Sequence, residues 1–294
     1  MLLVFPPFFM GVIAKTKAFF AGRKGPSLFQ MYYDLWRLLR KSAVYSRSSS
    51  LVLRWAPSII LSALFFSGLF LPFQGQALFH FEGDILLFAY LLALARFLTL
   101  LAAMDVGSSF EGMGASREAT FGALSELAFF LGLIVLAMVT HSTSLTEILG
   151  WNRNHSLLQP ALLFLFAAFF LILLTENSRM PIDDPTTHLE LTMIHEVMIL
   201  DYSGPDLALI LYGASMKLWI FAVWATSLLW PSMGSSLGGA MGFLFLKGIG
   251  MAIAIGVVES TLARFRLIKI PQILIANFVL VAFALLIVLF HKQG

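Results

Sequence analysis

The sequence predicts an all-α, polytopic membrane protein with about eight transmembrane helices, joined by amphipathic and acidic loop helices on the cytoplasmic side. Three observations carry that expectation. Of the 294 residues, 59% are hydrophobic, well above the roughly 45–50% of soluble domains, and the mean hydropathy is +0.89. Apolar runs near the ~20 residues that cross a bilayer recur along the chain. Charged residues, only 12% of the total, gather mainly between these runs.

Windows of about 19 residues place the spans near 2–20, 51–71, 85–104, 121–140, 157–174, 206–230, 238–258 and 271–290. All of 1–294 reads as a single integral membrane domain, with a basic amphipathic cytoplasmic segment at 15–50 and an acidic cytoplasmic loop at 175–205. The first span is the weakest, because its continuous apolar run ends at Ala14 and Lys15 and Lys17 must snorkel. The basic residues follow that run instead of preceding it, which is not the order of a signal peptide.

Charge placement orients the bundle. Between Lys15 and Arg54 nine Lys/Arg face one acid, Asp34, and the 259–270 connection adds Arg264, Arg266 and Lys269. The connections on the other side hold only Arg153, with Lys292 in the tail. The positive-inside rule therefore puts 15–54, 105–120, 175–205 and 259–270 in the cytoplasm and the N-terminus outside. With no cysteine, the chain has no disulfide framework, thiolate zinc site, cysteine-ligated iron–sulfur cluster or cysteine nucleophile. An electron carrier must sit in a partner or be held by other ligands.

Within the first cytoplasmic connection, "LFQMYYDLWRLLRK" puts Leu28, Tyr32, Leu35, Trp36 and Leu39 on one helical stripe, with Arg37, Arg40 and Lys41 at its end. An anchor for anionic lipid and a docking surface for a partner both fit. Four ionisable residues, Arg96, Glu126, Lys217 and Lys247, fall inside spans, and Glu259 lies at a cytoplasmic end. Each costs about 2.5–3.5 kcal/mol near mid-bilayer, so a partner or a water-filled path is expected. Arg96 lies close enough to its cytoplasmic end to snorkel. Glu126 is the leading proton-handling group, expected to be largely desolvated. For it and for Lys247 a buried pair or hydrogen bond that fixes packing is the plainer alternative.

The 105–120 connection, "DVGSSFEGMGASREAT", reads by itself as a flexible structural loop whose glycines permit close approach. It lacks the lysine of a phosphate loop. Residues 176–207 hold seven of the chain's 16 carboxylates, Glu176, Asp183, Asp184, Glu190, Glu196, Asp201 and Asp206, with Arg179 as their only strong base. Asp184-Pro185 suits a helix start and Ser203-Gly204-Pro205 a stop, which predicts a cytoplasmic helix of about 18 residues. His188 and His195, seven apart, stand about 10 Å from each other along such a helix, too far to chelate one metal ion. Clustered carboxylates suit proton exchange, and a solvated acidic face is the alternative.

At "ENSRMPIDDPTTHLELTMIHEVMILDYSG" the chain resembles the respiratory complex I subunit 1 family, in the form found in energy-converting membrane-bound nickel–iron hydrogenases of the formate hydrogenlyase and hydrogenase-4 type. "GRKGPSLFQMYYDLWRLLRK", "GMGASREATFGALSE" and "ESTLARFRL" fit the same family in the same order. The resemblance implies a membrane subunit in a prokaryotic plasma membrane. On it sits a hydrophilic arm with iron–sulfur and nickel–iron subunits, and it joins that arm to antiporter-like proton or sodium pumps. No cofactor is implied in this chain, and nothing points to nucleic acid. Carried over by position, a proton path or coupling role falls to Glu126, Arg117, Glu176, Asp183, Glu190, Glu196, Asp201, Lys217, Lys247 and Glu259. Arm docking or structural roles fall to Arg23, Gly25, Pro26, Arg179, Pro181, Tyr202, Arg264 and Arg266. Quinone-type members tend to carry glutamates where this chain has Thr186 and His188, keeping only Glu190, which favours the hydrogenase branch and counts against a quinone site.

The expected function is a coupling subunit of a multisubunit redox complex. One alternative is the quinone-site subunit of a quinone-reducing relative. Another, of a different class, is a free-standing secondary transporter, but no internal repeat supports it. A passive anchor would gain nothing from the insertion cost of Glu126, Lys217 and Lys247.

Overall fold

A computed structural model of the chain describes residues 2–46, 48–72, 75–151, 160–183, 193–230 and 237–293. Among them are ten α-helices: α1 (Phe5–Phe20), α2 (Gln30–Leu39), α3 (Leu51–Leu69), α4 (Asp84–Asp105), α5 (Ser109–Thr140), α6 (Leu145–Trp151), α7 (Pro160–Glu176), α8 (Gly204–Leu229), α9 (Leu237–Thr261) and α10 (Ile270–Gln293). Each expected span has its helix. Six of them, α3, α4, α5, α8, α9 and α10, are long and apolar enough to cross a membrane. The other two are shorter: α7 has 17 residues and α1 has 16. At 1.5 Å per residue α1 extends about 24 Å, less than the ~30 Å hydrocarbon core.

The most enclosed helix is α8, which touches α1, α2, α3, α7 and α9. Its Trp224 is fully buried and meets Phe169 of α7 edge-on, with ring centroids 4.1 Å apart, and Phe129 of α5 at 5.4 Å. Such pairs add about 0.5–1.5 kcal/mol beyond the area they bury. The approach depends on Gly132, where a Cβ would stand 2.6 Å from Cζ of Phe169.

Carboxylates fasten helix ends. At one end of the bundle the buried Asp84 accepts the Leu145 N–H at 2.6 Å and the Ser144 hydroxyl at 3.3 Å, tying α4 to α6. At the other end, where Lys15, Arg23 and Arg264 gather, Oδ2 of Asp105 accepts the N–H groups of Ser50 at 2.7 Å and Leu53 at 3.3 Å. The last residue of α4 thereby satisfies the open N-terminus of α3.

Two expected elements differ. The 105–120 connection is not a loop beyond residues 106–108, because α5 begins at Ser109. Gly107, at φ 73°, makes the turn. Gly112 and Gly114 lie within the helix, and at Gly114 a side chain would collide with Val197 and stand 3.0 Å from the Ile194 carbonyl. Gly114 thus serves close packing, not flexibility, while Gly112 meets nothing within 4 Å. The acidic helix of about 18 residues is also not formed over its described part. Residues 193–195 are non-helical, and only a 3₁₀ turn, Glu196–Ile199, follows. The cause is Asp183, whose Oδ2 accepts the N–H groups of Ile194 at 3.1 Å and His195 at 3.2 Å and folds the segment back on itself. Asp184, Pro185, His188 and Glu190 lie outside the described residues.

The amphipathic helix is present as α2, but its apolar stripe is divided. Leu35 is buried and the Tyr32 hydroxyl donates to the Val4 carbonyl, whereas Trp36 is 59% exposed with the Arg40 guanidinium 4.7 Å over its ring.

Gly114 and Gly250 give a direct test of this packing. Gly114→Ala should lower the unfolding midpoint of the detergent-solubilised protein, losing about 1–3 kcal/mol by overpacking. Gly250, with nothing within 4 Å of an added Cβ, should accept alanine with no loss or a gain of up to ~1 kcal/mol. Equal midpoints for the two variants would contradict the close approach of α5 to the 196–199 turn.

Candidate functional site

Glu176, the last residue of α7, holds the largest group of charges together. Its Oε1 accepts from Nη1 of Arg96 on α4 at 2.7 Å, and its Oε2 from Nζ of Lys217 on α8 at 2.9 Å. Lys217 also donates to the Glu176 carbonyl at 2.8 Å, satisfying an open C-terminal group of α7. The same Arg96 reaches Glu126 of α5 through Nη2. Room for its guanidinium comes from Gly122, where a Cβ would stand 2.6 Å from Nη1. Glu118, one α5 turn before Gly122 and 9% exposed, faces Glu176, Lys217 and Arg96.

These groups open onto a cavity of ≈ 120 Å³, roomy enough for several waters. Arg96, Glu118, Glu176, His195 and Lys217 line its polar wall, and Met10, Met31, Ile60 and Leu64 are on the apolar side. His195 is half-buried against the cavity. Burial, followed by the nearby Lys217, lowers its pKa to about 4 against the weaker pull of Glu176, so the ring is neutral at pH 7.

Around the mouth, three further charge pairs on two carboxylates close the chain on itself. Glu259 of α9, its side chain fully buried, takes Lys17 of α1 at 3.0 Å and Arg179 at 3.3 Å. Asp183 takes Arg264 at 2.7 Å through Oδ1. The Pro181 carbonyl accepts the Phe265 N–H at 2.9 Å, so the segment after α7 is sewn to the segment after α9. The acidic loop is therefore balanced from elsewhere: Arg179 serves Glu259, whereas Glu176 and Asp183 draw on Arg96, Lys217 and Arg264.

The sequence-predicted residues divide accordingly. Glu126, Glu176 and Lys217 come together, and Asp183, Glu196 and Glu259 lie nearby. Arg117 points away, donating to the Met193 carbonyl at 2.9 Å. The Asp201 N–H binds Glu111 at 3.1 Å, outside the cavity. Lys247, on α9, stands apart at the C-terminal end of α8, about 20 Å along that helix from Lys217, where it donates to the Trp230 carbonyl at 2.7 Å and to Ser227 at 3.3 Å. That position suits the plainer role, holding the α8 C-terminus. Glu126 is not desolvated by this chain: its side chain is 36% exposed. Arg23, Pro26 and Arg266 are exposed, and Gly25 turns the chain there at φ 64°. Arg179, Pro181 and Tyr202 are buried and Arg264 is engaged internally, so only the first set is open to a partner.

Sequence reasoning missed the central role of Arg96, read as a snorkelling residue, gave Glu118 no role, weighed His195 only as a metal ligand and read Lys17 only as a snorkelling residue. The available signal was the glycine at 122, which only a close neighbour would require.

Comparisons with known proteins agree with one another. A family model described as NADH dehydrogenase (NADHdh) matches residues 1–290. Hydrogenase-4 component C of Escherichia coli (strain K12) is 32% identical over 295 residues, covering 96% of this chain and 91% of that protein. Formate hydrogenlyase subunit 4 of the same organism is 30% identical over 94% of this chain and 92% of its own. A subunit of the NADH-quinone oxidoreductase of Burkholderia vietnamiensis is more distant, at 25% over 85% and 75%. A chain in the structure of the membrane-bound sulfane sulfur reductase (MBS), an archaeal respiratory membrane complex, shares the fold. Its TM-score is 0.86 at 18% identity, over 98% of this chain and 95% of that one.

Two measurements probe the charge group. Arg96→Met should cost about 3–5 kcal/mol, the usual result of stripping one partner from a buried pair. In double-mutant cycles read by unfolding in detergent, its coupling to Glu176→Gln should exceed its coupling to the more exposed Glu126→Gln; equal couplings would exclude the arrangement described.

For His195, the unfolded segment takes up a proton near pH 6.5, whereas the folded one does not until about pH 4. Stability of this segment is therefore fully present above the unfolded value and falls as pH drops from 6.5 toward 4. Hydrogen-exchange protection of residues 193–200 should decline over that window, and His195→Gln should flatten the decline.

Proposed function

Because the chain belongs to the NADH dehydrogenase family of complex I subunit 1-like membrane proteins, we propose that it is the coupling subunit of an energy-converting redox complex of the membrane-bound hydrogenase type. It seats a hydrophilic arm that carries iron–sulfur clusters, with a nickel–iron centre where the arm is a true hydrogenase. It transmits the energy of electron transfer to antiporter-like membrane subunits that move protons or sodium. The similarity to hydrogenase-4 component C and formate hydrogenlyase subunit 4 over almost the whole chain supports this branch. The basic end, with Arg23, Pro26 and Arg266 exposed, faces the cytoplasm by the positive-inside rule and receives the arm.

The observation that carries the reading is the charge series Glu126–Arg96–Glu176–Lys217, which crosses four helices and borders a cavity that can hold water. Protonating either carboxylate changes how strongly the shared Arg96 holds the other, so a proton at the Glu176 end alters the charge state at Glu126. Glu126 is the outward-facing member, placed to hand that change to a neighbouring membrane subunit. A passive anchor has no use for such a series, and a free-standing transporter would not share nearly full-length similarity with subunits of larger assemblies.

The test is Glu126→Gln in the complex purified with its companion subunits. The variant should assemble and retain at least part of its electron transfer, while ion translocation in proteoliposomes falls sharply. Pumping at the parental rate, or failure to assemble, would remove Glu126 from the coupling path.

A further inference from the structure

A second buried polar cluster sits away from the cavity, where the starts of α5 and α8 meet the 42–50 linker. Glu111 is 1% exposed; its Oε1 accepts the Asp201 N–H at 3.1 Å, and its Oε2 has no partner among the described residues. The hydroxyl of Tyr202, a residue 7% exposed, is likewise unpartnered, as is Oδ2 of Asp206. Half-buried Tyr45 lies beside Asp206, and the Arg54 guanidinium lies 4.8 Å over its ring. The linker is fastened across the cluster: the Val44 N–H donates to Ser203 at 2.9 Å and the Ser48 hydroxyl to the Val106 carbonyl at 3.0 Å. None of Glu111, Tyr202 and Asp206 lines the cavity.

Charge makes full ionisation of this cluster costly. Glu111 faces Asp201 and Tyr202; Tyr202 in turn faces Asp206 around the start of α8, Asp105 at the end of α4 and Tyr45 of the linker, and Arg54 of α3 is the counter-charge beside Tyr45. A buried carboxylate oxygen without a donor carries its desolvation cost unrelieved, and neighbouring carboxylates add to it. The first-turn positions of Glu111 and Asp206 offset part of this through the helix N-termini. Burial, followed by the charge of the surrounding carboxylates, pushes the Tyr202 phenol up, so it remains an O–H donor.

We propose that Glu111, Tyr202 and Asp206 form a second proton-holding site, in which the two carboxylates share one proton while the Tyr202 phenol keeps its own, and the shared proton exchanges with the aqueous face past Tyr45. A carboxylic O–H at Glu111 Oε2 is a donor, and its proton reaches Asp206 through a bridging water or by relay, Tyr202 accepting one proton as it gives up its own. The site is one α5 repeat from Glu118: seven residues return to the same helix face about 10 Å further along.

Infrared spectra of the purified full-length chain with its companion subunits, in lipid nanodiscs and titrated with base, test the proposal. A protonated-carboxyl stretch should be present at neutral pH, shift in D₂O and vanish in Glu111→Gln, which keeps the Oε1 acceptor for the Asp201 N–H. Tyr202→Phe, which removes only the hydroxyl, should retain the band at a changed frequency. The proposal is overturned by the absence of such a band at neutral pH, by its persistence in Glu111→Gln, or by an unchanged frequency in Tyr202→Phe. The last comparison decides alone if Glu111→Gln does not assemble. The spectra require no ion pumping, so this outcome is separate from that of the coupling role.

Discussion

One carboxylate shared by two cations from different helices is the constraint on which the rest depends. Glu176 ends α7, and the bonds from Arg96 and Lys217 fix where α4, α7 and α8 stand relative to one another. Alone, each of these side chains would cost several kcal/mol at membrane depth. Together they form a group whose hydrogen bonds are largely satisfied internally. Ion pairs of this kind are weak evidence for stability, but they distinguish one helix arrangement from another more sharply than apolar packing does.

The same principle repeats at the basic end on a smaller scale. Glu259 gathers Lys17 and Arg179, and Asp183 gathers Arg264. Each pair joins segments far apart in sequence: Glu176 and Asp183 are neutralised by bases from α4, α8 and the segment following α9, and Glu259 by Lys17 of α1 and Arg179. Asp183 does two things at once, pairing with Arg264 and bending the 193–195 backbone toward itself. Residues 193–199 consequently form a bend and a 3₁₀ turn instead of a straight helix.

Much of the architecture was legible because apolar runs near bilayer length admit few alternatives, and all eight runs became helices. What was misread has a common cause. Sequence position gives depth along a span but not direction around it. Arg96 looked like a residue able to reach the surface, yet it points inward to Glu126 and Glu176. Glu126 looked buried, yet eight residues carry it about 80° around α5 from the enclosed Glu118, and it is partly exposed. Glycines at 112 and 114 signalled a loop by composition, while the helix uses Gly114 to admit Val197. The pairs Arg96–Glu176 and Arg179–Glu259, 80 residues apart in each case, had no local signature.

The length of α5 has its own implication. Its 32 residues run unbroken from Ser109 to Thr140, so Glu111, Glu118 and Glu126 are graduations on one rigid ruler, spaced by about 10 and 12 Å of axial rise. No bending of the ruler brings neighbouring marks within hydrogen-bonding reach. In the proposed coupling role, a proton moving between them would step off α5 onto groups borne by other helices, as Arg96 and Glu176 are between the last two, or onto solvent. Timing would then be set by the swing of side chains and the ordering of water while the backbone stays still.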